Sequence, residues 1–259
     1  MGKDRLDTAG RGKGQGVVAK TGGSRGGNRG FYLILVLLLV AGIGTLAYLS
    51  AKPRQTVSQI DTSLAPIPNQ GHALGSDSAR LEVVEFADFE CPACGSFATL
   101  TEPDVRDRLV KTGLIRFRFM DFPLTNVHRN TWPAHRAAWC AGEQNKFWEM
   151  HDALFMSQDR WNGEETTHPD DVIEGLASQL GLNMPQYKSC VETRKYQAQI
   201  QANVAEGEKR AVGQTPTYFI GTTKIPGAIS YDEFKKYVDQ ALAALPAPAP
   251  TKPATKTKR

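Results

Sequence analysis

Cys91 and Cys94 are separated by Pro92 and Ala93. Two thiols at that spacing can close a small disulfide, hold half of a metal site, or cycle between dithiol and disulfide against another protein. Zinc ribbons need a second paired ligand set, whereas the other two cysteines, Cys140 and Cys190, stand alone, and His128, His135 and His151 lack ligand spacing. No metal is therefore expected. An inert bridge between residues three apart would constrain the unfolded chain little. The redox reading has a mechanism. The pair follows an apolar strand and opens a helix, and a helix N-terminus carries partial positive charge and free N–H groups that stabilise a thiolate at Cys91. An ordinary thiol is about 3 per cent ionised at pH 7, and lowering its pKa by two units makes it about three-quarters ionised. Cys91 is thus the attacking thiol. Cys94, one helical turn deeper, is the resolving thiol of a cycle that passes through a mixed disulfide.

The elements that must hold this pair are legible around it. Leu81 to Phe86 (LEVVEF) suits a buried strand, and Ile115 to Phe119 (IRFRF) alternates as a half-exposed strand does. Asn130 to Phe155 and Asp170 to Leu182 have helical spacing. Trp132, Trp139, Phe147, Trp148 and Phe155 fall at that spacing as core, with a hydrophobic client surface as the other reading. Tyr218 to Ile220 and the stretch near Lys224 flank a turn and read as a hairpin. Ser230 and Glu233 form a capping box for a last amphipathic helix. The order is β, α, β, a block of helices, ββ, α.

Charge and hydropathy divide the 259 residues further. Residues 1–30 carry a net +5 and the tail after Leu245 +4, which leaves the middle at −5. An acidic middle lacks the basic face that phosphate binding requires, so nucleic acid is not an expected partner. Phe31 to Ser50 is 20 residues without a charge, about 30 Å of helix. It reads as a single transmembrane anchor, with a cleaved signal peptide as its rival. Seven basic residues precede it, so the N-terminus is expected inside and the rest outside the cytoplasmic membrane. The expected domains are a disordered basic segment (1–30), the anchor (31–50), a proline-bearing linker (51–76), a folded domain (77–245) with a helical insertion at about 126–205, and a disordered tail (246–259). In an extracytoplasmic compartment unpaired thiols oxidise, so Cys140 and Cys190 are expected to form a second disulfide, the alternative being two buried free thiols.

The run VVEFADFECPACGSF at Val83 to Phe97, joined to VGQTPTYFI at Val212 to Ile220 and AAWCAGEQNKFWEMHDALF at Ala137 to Phe155, resembles the DsbA-like branch of the thioredoxin superfamily, in particular its membrane-anchored bacterial members. The resemblance covers about Leu81 to Leu245. It implies an α/β thioredoxin fold with an inserted helical domain, here preceded by one transmembrane helix. It also implies that Thr215-Pro216 is a cis-proline pair facing the cysteines, with the Thr215 backbone edge binding an extended client. Glu85 matches the acidic residue buried under the disulfide that takes the proton from Cys94; read from the residues alone it is equally an exposed strand position. Ala93 stands where enteric DsbA has a histidine, and Glu90 places a negative charge beside Cys91. Both point to a less oxidising pair than the extreme members and leave the direction of electron flow open.

The function expected is a membrane-tethered, monomeric thiol:disulfide oxidoreductase that acts on cysteine-containing exported proteins in the periplasm without a separate cofactor. The resemblance implies recycling by a quinone-linked membrane partner of the DsbB or vitamin K epoxide reductase type. A reductase or isomerase with the same residues is the alternative. A non-redox tethered chaperone or metal-binding module is the alternative of another class.

Overall fold

The computed structural model describes residues 28–50 and 56–246. It divides into two units, Met1–Arg54 and Gln55–Arg259. The expectations for the basic leader and for the tail from residue 247 onward lie outside the described residues.

In the first unit, α1 (Arg29–Ser50) runs for 22 residues. Among the described residues no helix is long and apolar enough to cross a membrane.

The second unit is built on a six-stranded sheet in the order β1-β6-β5-β3-β4-β2. At its centre, β3 (Leu81–Ala87) runs parallel to β4 (Ile115–Asp121) and antiparallel to β5 (Thr217–Ile220). A parallel pair needs a crossover, supplied here by α2 (Pro92–Leu100), α3 (Glu102–Val105) and a π turn (Arg106–Val110). Between β4 and β5 the chain leaves the sheet for the helices α4 (Thr131–Gly142), α5 (Phe147–Met156), α6 (Gln158–Trp161), α7 (Pro169–Gln179), α8 (Met184–Glu192) and α9 (Gln197–Lys209). It then returns to pair β5 with β6 (Thr223–Pro226) and to close with α10 (Tyr231–Ala244), where the Ser230 side chain accepts from the Glu233 N–H. From Leu81 onward this is the element order read from the sequence.

Strand β3 is covered on both faces, so its apolar run is nearly continuous. Val83 packs with Phe97, Tyr218 and Phe234 under α2 and α10, while Val84 and Phe86 pack with Phe122 and Phe219 on the other face. Side chains alternate along a strand, so Glu85 falls on the side of Val83, beneath α2.

Two expectations need correction. Residues 56–76, read as a tether, contribute β1 (Ser58–Gln59) and β2 (His72–Leu74), one at each edge of the sheet. Strands of two and three residues are too short to leave a periodic pattern, and their backbone pairing carries no side-chain signature. The approach to β2 is tight: Gly71 has φ +77°, and a Cβ there would lie 2.2 Å from the Phe119 carbonyl oxygen. Strand β4 is not half exposed. Arg118 is only 4% exposed, because the segment ahead of β2 lies over it. Its guanidinium pairs with Glu82 at 2.5 Å and donates to the Pro68 carbonyl at 2.7 Å.

Cys140 in α4 and Cys190 in α8 are joined by a disulfide. It closes 50 residues of the helical insertion, worth roughly 4 kcal/mol by the chain-entropy estimate. Replacing both cysteines by serine is expected to lower the unfolding free energy in urea by up to about that amount, leaving the Cys91 thiol titration unchanged.

Candidate active site at the start of helix α2

Cys91 is the N-cap of α2 and Pro92 its first residue, a position where proline's missing N–H costs nothing. The turn before it is held from several directions. Cys91 N–H donates to the Asp88 carbonyl at 3.1 Å, and Gln158 Nε2 in α6 donates to the carbonyls of Phe89 at 2.7 Å and Cys91 at 3.0 Å. Glu90 does not stand free beside the thiol. Its carboxylate accepts from the N–H groups of Asn130 at 2.7 Å and Gly163 at 2.6 Å.

Both cysteines are free thiols, and the burial order is the expected one: Cys91 is 7% exposed and Cys94 1%. Opposite them the Thr215–Pro216 peptide is cis. Cys91 Sγ donates to the Thr215 carbonyl at 3.3 Å, while the Thr215 hydroxyl has no hydrogen-bond partner. The Cys94 thiol donates to the Cys91 sulfur and brings its pKa down to about 6 against the opposing effect of burial, with the N–H groups of Cys94 and Ala93 adding to the shift. Burial drives Cys94 the other way, well above the usual thiol value, and hydrogen bonding to Cys91 pushes it further. One sulfur is thus poised to ionise while the other keeps its proton.

Glu85 is 2% exposed beneath this pair. Burial raises its pKa well above the ordinary carboxyl range, and the charge of Glu102 raises it further. Tyr218 faces Glu85 across the β3–β5 ladder.

Some structural partners of the site escaped the sequence reading. Asp88, three residues before Cys91, accepts from Glu90 N–H at 2.8 Å, Thr131 Oγ1 at 2.5 Å, Leu124 N–H at 2.7 Å and His128 Nδ1 at 2.7 Å, tying the active-site turn to the start of the helical insertion. Buried His135 bonds Asp121 at 2.6 Å and faces Asp88 at 3.7 Å. Burial opposes its charge, yet these two carboxylates hold its pKa up at about 9. His128 and His135 entered the sequence reading only as unconvincing zinc ligands. Asp88 and His135 lie 47 positions apart, so no spacing rule could have joined them. Among the described residues no group of three or more His, Cys, Asp and Glu is placed to hold a metal ion.

Comparison with known proteins agrees with this architecture. Residues 68–240 match the family model described as thioredoxin, and the chain belongs to that family. It is 33% identical over 185 residues to Na(+)/H(+) antiporter NhaA 3 of Salinispora tropica, covering 71% of this chain but only 27% of that protein's length. It is 25% identical over 175 residues to disulfide bond formation protein D of Bacillus subtilis, covering 65% of this chain and 76% of that protein. Among solved structures, oxidised BdbD from Bacillus subtilis superposes with a TM-score of 0.61 at 22% identity over 74% of this chain and 100% of that one. Wolbachia pipientis alpha-DsbA1 gives 0.61 at 21% identity, over 70% and 94%. At that identity the likeness is one of fold.

The Cys91 thiolate alone reacts with alkylating agents, so the rate of iodoacetamide modification of the reduced protein is expected to rise with pH, half-maximal near pH 6, and to be flat above about pH 7. Thiolate absorbance against pH checks this. A midpoint near 9 would mean that the surrounding donors do not act on the sulfur.

Proposed function

We propose that the protein is a thiol:disulfide oxidoreductase that forms or exchanges disulfides in cysteine-containing exported proteins. The observation that carries this reading is the Cys91 sulfur at the mouth of α2, its pKa lowered to about 6, in contact with the Thr215 carbonyl. A relative named disulfide bond formation protein D and the fold shared with DsbA structures support it.

In the oxidised enzyme a client thiolate attacks Cys91 Sγ, the Cys91–Cys94 bond breaks, and its electron pair leaves on Cys94, which is protonated. A second client thiolate attacks the client sulfur of the mixed disulfide. The client disulfide forms and Cys91 departs as a thiolate. Glu85 is the proton donor to Cys94 in this scheme, since burial keeps its carboxyl protonated. Thr215 and Pro216 offer the backbone edge against which an extended client lies. The low Cys91 pKa favours oxidation, because it stabilises the reduced pair. Moving a thiol from 9.0 to about 6 contributes about 1.4 kcal/mol at pH 7, roughly 30 mV for a two-electron couple. That is a moderate push and agrees with the absence of a histidine at Ala93.

The oxidised protein is expected to restore activity to a reduced, denatured disulfide-containing client. A Cys91→Ala variant loses this activity, and Cys94→Ala accumulates mixed disulfides. Equilibration with glutathione gives the potential. A strongly reducing midpoint would turn the assignment to a reductase, and full activity of Cys91→Ala would turn it to a chaperone.

The reading extends to place. The uncharged run from Gly30 to Ser50 in α1, whose large apolar side chains between Phe31 and Leu46 are exposed, supports a single membrane anchor that holds the catalytic domain on the extracytoplasmic side. A monomer recycled by a quinone-linked membrane protein of the DsbB or vitamin K epoxide reductase type completes the proposal. Full-length protein is expected to sediment with membranes and to be released by detergent but not by high salt. Release by salt would replace the anchor with a charge-held association.

A further inference from the structure

The chemistry just described asks Glu85 to give and regain a proton in a place solvent does not reach, and the side chains behind it are arranged to carry one. Glu102 and His151 are each 1% exposed. Glu102 Oε1 accepts from Arg106 Nε at 2.8 Å, but Oε2 has no hydrogen-bond partner. His151 Nε2 has none either, and these two unpartnered atoms lie 3.7 Å apart, just beyond hydrogen-bonding range. A buried polar group left unpaired is costly, so two facing each other need an explanation.

The other ring nitrogen supplies one. His151 Nδ1 lies 2.8 Å from Asp152 Oδ1 and 3.2 Å from an Arg106 guanidinium nitrogen. A guanidinium only donates and a carboxylate only accepts, so Nδ1 has a partner whether or not it bears the proton. Both neutral tautomers are therefore accommodated, and His151 can take a proton on one nitrogen and release one from the other. Asp152 is 46% exposed, and with Arg106 it lines an open groove of about 800 Å³ bounded by residues of α2, the π turn and α5. On the inner side, Glu85 lies on the face of β3 beneath α2, opposite Tyr218, whose buried hydroxyl has no hydrogen-bond partner, and the charge of Glu102 reaches it there. The rings of Phe89, Trp148 and Phe155 surround His151 and exclude bulk water.

We propose that Glu102 and His151 form the outer half of a proton relay that joins Glu85, and through it Cys94, to solvent at the Asp152 groove. This rests on the oxidoreductase reading. When the Cys91–Cys94 bond breaks and its electron pair goes to Cys94, the Glu85 carboxyl passes its proton to that sulfur. His151 Nε2–H passes its proton to the Glu102 carboxylate, Glu102 hands it on to Glu85, and His151 takes one at Nδ1 from solvent at Asp152. When the pair is reoxidised, the proton of Cys94 leaves by the same route reversed. No net charge stays buried.

The test is single-turnover reduction of the oxidised full-length protein by dithiothreitol in H2O and D2O, with Glu102→Gln, His151→Gln and the double variant. The relay predicts about ten-fold slower reduction at pH 7 and a larger solvent isotope effect in each single variant. It predicts a double variant no slower than either, since both cut one path, and an unchanged Cys91 thiolate titration. Wild-type rates and isotope effects in both variants, while Glu85→Gln is slowed, would overturn the relay and leave the function intact. Slower reduction with an unaltered isotope effect would also overturn it, as a structural effect. Should Glu102→Gln fail to fold, His151→Gln decides by the same criteria. Loss of the oxidoreductase reading itself would show separately, as full client-refolding activity in Cys91→Ala.

Discussion

The site depends on keeping one sulfur at the N-terminus of α2 while denying its neighbour any route to ionise. The N–H groups of the first helical turn and the Cys94 thiol converge on Cys91, and the stabilisation they give a thiolate falls off within about one turn of the helix. Cys94 sits one turn in and under the sheet, where burial dominates. A difference of three residues in sequence thus becomes a large difference in acidity. The rest of the domain keeps α2 and the Thr215 loop in register around that difference.

That register is maintained largely by buried charge. Asp88 and Asp121 lie at the C-terminal ends of β3 and β4, and His135 and His128 reach them from the helical insertion and its approach. Trp139 Nε1 and Asn203 Nδ2 donate to Asp121 at 2.8 Å and 2.6 Å. Apolar packing is tolerant of small slides, whereas a charged pair held by several hydrogen bonds in a low-dielectric interior is not. The insertion is therefore fastened to the sheet at the strand ends nearest the cysteines. Gln158 adds a direct hold on the Cys91 carbonyl.

Beneath the pair, a second set of polar groups has a different character. The Asp88 and Asp121 carboxylates are well supplied with donors, as structural anchors are. Glu102 and His151 instead leave facing atoms open, and the hydroxyls of Tyr218 and Thr215 lack partners as well. Incomplete satisfaction is expensive in a core, and Glu102 and His151 carry it face to face.

Local pattern was enough for some of this and not for the rest. The C-P-A-C pair after an apolar strand, the capping box at Ser230 and the strand–helix order were readable because backbone propensity and side-chain periodicity act over a few residues. The edge strands β1 and β2 were unreadable, being shorter than one period and held by main-chain bonds that any residue can make. The burial of Arg118 followed from the same omission. The sequence by itself determined where a thiolate could form and which elements would carry it. Only the tertiary structure decided which distant acids and bases surround it, because Glu102, His151 and Tyr218 are brought towards Glu85 and the cysteines by chain crossings, and the fields of buried charges depend on distance in space and not on separation along the chain.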